Sequence, residues 1–232
     1  MILPKWDDLP PEMRNNEVKK YYEILRHKKI SLITKRTFDF LVALIMTMIA
    51  SPILLAIAIL IKIDSKGPVF YRQERVTSNN RTFRIFKFRT MVQNADKIGT
   101  LVTVNQDPRI TRVGNKIRKC RLDELPQLLN IITGDMSFVG TRPEVRKYVD
   151  NYTEEMMATL LLPAGVTSLA SIKFKDEDEI MEKYIAEGES VDDIYIERIL
   201  PEKMKYNVEY LKAFSFFRDI KLMFKTVLSV IK

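Results

Sequence analysis

The chain has 232 residues and a mass of 27.1 kDa; at 46% hydrophobic and 29% charged residues it can bury a real core, which excludes disorder by composition. A single cysteine, Cys120, excludes an internal disulfide and fits a reducing compartment, and a single histidine, His27, excludes a Ser-His-Asp triad in the body and histidine-rich metal sites. The net charge is +8, and none of the 7 glycines falls in a dinucleotide-binding or Walker pattern, which leaves chemistry by carboxylates, lysines and arginines.

Residues 11–29 read as a charged, surface-lying helix, preceded by Trp6 and Pro10-Pro11 as a flexible arm or interfacial anchor. Residues 40–61 then form 22 uncharged residues, longer than the roughly 18 that mark a membrane candidate. A plain spanning helix would serve, but two features oppose it. Basic residues flank both ends, His27-Lys28-Lys29 and Lys35-Arg36 before, Lys62 and Lys66 after, and one span cannot put both flanks on the cytoplasmic side. Ser51-Pro52 lies near the middle, where proline removes a helix hydrogen bond and Ser51 can cover the freed carbonyl. Each half is roughly 18 Å long, too short to cross a core of about 30 Å. A helix–break–helix that enters and leaves by one face accommodates both features; from the residues alone it and a kinked span stand even.

The charge is concentrated next. Residues 1–61 carry +3, 62–121 carry +11 and 122–232 carry −6. The middle block calls for phosphates, lipid headgroups or nucleic acid. Within it, 69–76 and 82–91 read as strands of a hairpin turning at Ser78-Asn79-Asn80. Residues 107–119 read as a helix capped by Asp107 with Pro108 at its first position. Leu122, Leu125, Leu128, Leu129 and Ile132 share the apolar face of a further helix that stops at Gly134. Asp123 and Glu124 then fall in its first turn, where the helix dipole favours an ionised carboxylate. Pro163-Ala164-Gly165 reads as a turn, 167–175 as a strand or extended loop, and 176–184 and 201–214 as helices. Residues 214–231 have the spacing of an interfacial amphipathic helix, although a helix packed on the core would show the same periodicity.

Asp123-Glu124 is the constellation with chemical promise. Adjacent carboxylates are ordinary on a helix, but Arg118, Lys119 and Arg121 precede this pair, and only an anionic substrate makes sense of so much cation. A carboxylate can attack phosphorus if cations screen the repulsion, and Mg²⁺ is the natural metal. Asp176-Glu177-Asp178 formally fits an Asp-x-Asp metal motif, but a helix start explains it better. Cys120 reads as an inert, partly buried thiol.

Three motifs in order make the chain resemble a known family. Phe86-Lys87-Phe88-Arg89-Thr90-Met91, Leu122-Asp123-Glu124-Leu125-Pro126-Gln127-Leu128 and 134–143 (GDMSFVGTRP), behind the Ser-Pro-broken segment, resemble the bacterial sugar transferases, the monotopic polyprenyl-phosphate phosphoglycosyl transferases. The resemblance runs from about Lys35 to Pro143 and weakly on to the C-terminal helix. It implies an α/β, mostly helical membrane-associated domain with a re-entrant membrane helix, a small β-hairpin and interfacial amphipathic helices. The parts would be an N-terminal charged helix (1–34), the re-entrant helix broken at Ser51-Pro52 (35–64) and a cytoplasmic catalytic domain (65–232). The implied reaction moves a sugar-1-phosphate from a UDP-sugar to undecaprenyl phosphate with release of UMP, at the cytoplasmic face of the bacterial inner membrane.

By the same resemblance Asp123 is the nucleophile of a covalent phosphosugar intermediate and Glu124 helps place metal or acceptor, the two carboxylates holding Mg²⁺. Lys87, Arg89, Arg118 and Arg142 would contact phosphates. The family's Gly-Pro-Arg-Pro is Gly140-Thr141-Arg142-Pro143 here, and its Arg-Pro-Gly-Ile-Thr-Gly stretch is replaced by 162–168. Lys175 stands where an arginine would bind the donor, which trades a fork of donors for a point charge. The implied partners are the UDP-sugar, the lipid phosphate and a phospholipid membrane, with no nucleic acid; a homodimer and the identity of the sugar are left open. Two rivals remain: a direct ternary-complex transferase in which Asp123 only binds metal, and a non-catalytic membrane-tethered anion-binding protein.

Overall fold

The computed structural model describes residues 3–95, 107–174 and 177–231. Two short 3-10 turns, Trp6–Asp8 and Pro11–Met13, lead into α1 (Asn16–Arg26), capped by Asn15, whose side chain accepts from Val18 N at 2.8 Å. Only one side of α1 is surface: Val18, Tyr21, Tyr22 and Leu25 are buried in the main core. Trp6 packs edge-on against Tyr22 at 5.2 Å and beneath Lys19, so the N-terminal segment folds back onto α1 instead of forming an arm.

The 36-residue α2 (Lys29–Asp64) is long and apolar enough to cross a membrane. Its helical assignment continues through Pro52, which lies inside the helix. Pro52 has no N–H for the Met48 carbonyl, and Ser51 Oγ donates to that same carbonyl at 2.8 Å. One side-chain bond thus replaces the missing backbone bond. Both ends of α2 pack on the body through Leu32, Lys35, Asp39 and Ala43 on one side of the proline and Ile57 and Ile61 on the other. Between them Leu44, Ile45, Met48, Ile49, Ile53 and Leu55 are exposed, Ile49 at 74%.

Lys35 and Arg36 are not a free basic flank. Lys35 is 2% exposed and donates to Asp219 Oδ2 (2.6 Å) and the Val139 carbonyl (2.9 Å). Arg36 donates to the Ile131 and Ile132 carbonyls at 2.6 and 2.8 Å. His27, Lys28, Lys29, Lys62 and Lys66 remain exposed.

The hairpin forms as expected. β1 (Phe70–Val76) pairs antiparallel with β2 (Thr82–Phe88), with Tyr71 opposite Lys87 and Arg75 opposite Phe83. Its turn, Ser78–Asn80, uses the tolerance of asparagine for positive φ at Asn79 and Asn80. The inner face of the hairpin buries Phe83 and Ile85 in the main core.

The next two helices differ from expectation. α3 (Arg112–Lys119) begins later, capped by Thr111, which accepts from Gly114 N at 3.0 Å; Asp107 instead clamps the Arg109 guanidinium at 2.6 Å. Cys120 is exposed, not partly buried. Leu122–Glu124 is a 3-10 turn, and α4 spans only Gln127–Thr133. Pro126 cannot donate to the Leu122 carbonyl, so that carbonyl takes Leu125 N at 3.3 Å and the turn tightens. Asp123 and Glu124 therefore precede the α-helix, and the dipole argument falls. Gly134, at φ 89, ends α4 as read.

A second sheet was not legible. β3 (Met136–Val139) pairs in parallel with β4 (Ala164–Thr167), so 163–165 is not simply a turn. Gly140 and Gly165 let the chains touch: a Cβ on Gly165 would lie 2.2 Å from Gly140 N. Around this pair lie α5 (Arg146–Val149), a 3-10 turn (Met156–Leu161) and α6 (Leu169–Lys173), the last in the stretch read as strand or loop. Lys175 and Asp176 are outside the described residues; α7 (Glu177–Ala186) follows.

A continuous helical run then comprises α8 (Val191–Ile194), a π turn (Tyr195–Ile199) and α9 (Leu200–Lys212). Pro201 explains the π turn: its ring and missing N–H cannot fit the α pattern, and Leu200 N bonds back to the Tyr195 carbonyl instead. The chain closes with α10 (Phe216–Ile231), which buries Asp219 and Leu222 and exposes Phe217 (82%), Phe224, Val227 and Leu228. Among the described residues the architecture is mostly helical, with two two-stranded sheets.

Candidate active site

Glu124 lies in the turn before α4 and Lys87 on β2; Asn130 brings them together. Its Oδ1 accepts from Phe86 N at 2.8 Å and its Nδ2 donates to the Arg84 carbonyl at 3.1 Å, so α4 substitutes for a neighbouring strand on β2. Arg36 holds the far end of α4 through the Ile131 and Ile132 carbonyls. Lys87 Nζ then reaches Glu124 Oε1 at 2.9 Å, and Arg142, from the loop after β3, reaches the same oxygen at 2.9 Å. Arg121 takes a left-handed conformation (φ 51) directly before the Leu122–Glu124 turn, a strained corner that leads the chain into it.

The two carboxylates are driven apart electrostatically. Burial opposes the ionisation of Glu124, but Arg142 and Lys87 outweigh it and hold this carboxyl well below the usual range. Asp123 moves the other way: burial first, then the charge of Glu124, push its pKa up against the pull of Lys87 and Arg118. Asp123 takes a hydrogen bond from its own backbone N–H, and no other described side chain bonds its carboxylate. One carboxylate is clamped and ionised more readily than usual, while its neighbour is shifted the other way.

Two cavities meet at the dyad. One, of about 400 Å³, is lined by Asp123, Lys87, Arg118, Arg89, Arg72 and Tyr71. The other, of about 730 Å³, is lined by Glu124, Arg142, Glu144, Tyr195 and Lys203, and reaches Met46 of α2 and Thr226 of α10. Arg75 lines both. Arg89 is buried; its Nη2 donates to the Ser65 carbonyl and Oγ at 2.8 and 2.9 Å, while Nε and Nη1 have no partner among the described residues. These two donors lie buried behind the cavity wall to which Arg89 contributes.

No group of three or more carboxylate, histidine or cysteine side chains converges as a metal cage among the described residues. Glu124 Oε2 nevertheless stays clear of Lys87 and Arg142, which both take Oε1, and no other described side chain bonds the Asp123 carboxylate. Two such oxygen donors fit Mg²⁺, which characteristically completes its shell with substrate phosphates and water.

The fold thus gathers Asp123, Glu124, Lys87, Arg89, Arg118 and Arg142 around two adjoining cavities. Ser51 and Pro52 belong to the exposed middle of α2, and Lys175 lies outside the described residues. Sequence reading missed Arg75, Glu144, Tyr195 and Lys203. Arg75 was findable, because the hairpin register puts 71, 73 and 75 on the face of Lys87. Nothing local marks the other three.

The profile of the family described as bacterial sugar transferase matches residues 30–232. Among relatives, the UDP-N-acetylgalactosamine-undecaprenyl-phosphate N-acetylgalactosaminephosphotransferase of Aeromonas hydrophila is 39% identical over 200 residues, covering 85% of this chain and 43% of that protein. The UDP-glucose:undecaprenyl-phosphate glucose-1-phosphate transferase of Escherichia coli is 34% identical over 203 residues, 85% of this chain and 40% of that protein. The chain therefore spans less than half the length of these two relatives. The exopolysaccharide production protein ExoY of Sinorhizobium fredii is 33% identical and aligns over 88% of both chains. With its dyad motif folded between lysine and arginine, and a match that covers nearly its whole length, this chain belongs to the bacterial sugar transferase family.

Proposed function

We propose that the chain transfers a sugar-1-phosphate from a UDP-sugar to undecaprenyl phosphate, in two steps through Asp123. A carboxylate oxygen of Asp123 attacks the β-phosphorus, the bond from that phosphorus to the bridging oxygen breaks, and UMP leaves with the electron pair. An oxygen of the lipid phosphate then attacks the same phosphorus, the acyl phosphate bond breaks, and undecaprenyl diphosphate-sugar and free Asp123 result. The names of the relatives support donor and acceptor classes. The observation that carries the mechanism is the contrast between Glu124, clamped by Lys87 and Arg142, and Asp123, which lines a cationic cavity with no side-chain ion pair holding it.

In this reading Lys87, Arg118, Arg89 and Arg142 bind and orient the phosphates, which screens the approach of one anion to another. Glu124 keeps Lys87 and Arg142 in place. Mg²⁺ held by Asp123 and Glu124 with the diphosphate would supply further charge neutralisation.

The membrane placement belongs to the same proposal: α2 lies re-entrant in the cytoplasmic leaflet of the inner membrane, with α10 at its interface. Both ends of α2 pack on one body while its middle is apolar and exposed, and α10 presents Phe217, Phe224 and Val227 outward. An active site at the headgroup level meets a lipid phosphate without extracting the lipid.

The test is to incubate the protein with UDP-sugars and no acceptor, and to look by mass spectrometry for a phosphosugar on Asp123 with stoichiometric UMP release. Asp123→Asn should abolish both the adduct and turnover. Normal turnover by Asp123→Asn, or initial-velocity lines that intersect instead of running parallel, would refute the two-step mechanism.

A further inference from the structure

The larger cavity holds a buried polar cluster that phosphoryl transfer does not use. Tyr195 OH donates to Glu144 Oε1 at 2.6 Å and accepts from Lys203 Nζ at 3.0 Å; Lys203 also pairs with Glu177 at 3.2 Å. Glu144 and Lys203 are 6% and 8% exposed, and the Tyr195 ring stacks on Tyr148 at 4.4 Å. Burying such groups is costly, and Tyr195 opens the π turn that precedes Pro201. Glu144 still has capacity to accept: among the described residues the cation paired with Oε2 is Arg75, at 3.9 Å, beyond hydrogen-bond reach.

Charge separates the two cavities. Among described residues, the smaller is lined by six cations, Arg72, Arg75, Lys87, Arg89, Arg109 and Arg118, against the single carboxylate of Asp123. The larger has four, Arg75, Arg121, Arg142 and Lys203, against Glu124, Glu144 and Glu177. The first suits a polyanion. The second suits a neutral, hydroxyl-rich group that needs a carboxylate acceptor, an ammonium donor and an aromatic wall. A lipid phosphate, dianionic on an apolar chain, is a poor match for an end with two carboxylates.

We propose that Glu144, Tyr195 and Lys203 form the subsite for the sugar ring of the donor, Glu144 accepting from its hydroxyls, while the nucleotide diphosphate lies in the cationic cavity. The proposal rests on the transferase reading above. The reacting phosphate then sits where the cavities adjoin, at Arg75 and the Lys87–Glu124 pair.

Binding is measured calorimetrically on the full chain in nanodiscs, in the Asp123→Asn background where no adduct forms, with UDP and a panel including UDP-glucose and UDP-N-acetylgalactosamine. Glu144→Gln and Tyr195→Phe preserve shape. Glu144→Gln should weaken the tightest-binding UDP-sugar about 10-fold or more, the loss of a charge-assisted hydrogen bond, and UDP less than about 2-fold. Tyr195→Phe should act in the same direction by a smaller factor. Equal weakening of UDP and UDP-sugar, or none, overturns the subsite; so does a rise confined to the half-saturating undecaprenyl phosphate in the otherwise native enzyme. If UDP-sugars bind with this selectivity but the native chain releases no UMP, the transferase reading falls while the subsite stands.

Discussion

Replacing Lys35 by methionine tests what holds the membrane helix to the catalytic body. Lys35 Nζ bonds Asp219 Oδ2 at 2.6 Å and the Val139 carbonyl at 2.9 Å, with Asp39 at 3.9 Å, and all three side chains are buried. Lys35→Met leaves Asp219 with only the Tyr210 hydroxyl, at 2.8 Å, and strands Asp39 and a carbonyl. Breaking a buried pair in this way costs about 3–5 kcal/mol, which for a chain of this size is a fall of roughly 6–20 °C in Tm. Thermal unfolding in nanodiscs, followed by fluorescence, reads it directly. Burial raises the Asp219 pKa even with Lys35 present, so the unpaired carboxylate in the variant should destabilise most above its folded pKa and the deficit should shrink as pH falls. Adding Asp219→Asn removes the charge that needs a cation and should recover at least half the loss. A single-variant cost below about 1 kcal/mol, or strict additivity in the double variant, would refute the assignment of this cluster as the anchor of α2.

Three further outcomes follow from the geometry. Glu124→Gln removes the charge that raises the Asp123 pKa and releases Lys87 and Arg142, so the acid limb of adduct formation should move to lower pH; an unmoved or raised limb contradicts the electrostatic account. Ser51→Ala strips the Met48 carbonyl of its donor and should cost about 1 kcal/mol in a bilayer, measured as thermal inactivation, whereas Ser51→Ala/Pro52→Ala restores a backbone N–H and should recover it. Gly165→Ala drives a Cβ to 2.2 Å from Gly140 N and must break the Gly140 N–Thr167 and Gly165 N–Thr141 bonds, so a loss of at least about 2 kcal/mol and of adduct yield is expected.

The sequence by itself determined what is local or carried by a contiguous motif: the hairpin from its strand-forming runs and Asn turn, the stop at Gly134, the long apolar helix, and the family from three motifs in order. It also paired Ser51 with the carbonyl freed by Pro52, because that bond spans three residues. Only the tertiary structure decided the β3–β4 sheet, the burial of Lys35 against Asp219, and the cluster of Glu144, Tyr195 and Lys203. Apart from Tyr195 and Lys203, which are eight positions apart, those contacts join residues separated by tens to nearly two hundred positions and follow no period along the chain. Motif reading found the charges around Asp123 but not their division of labour. That division depends on which oxygen of Glu124 takes Lys87 and Arg142, a matter of three-dimensional packing.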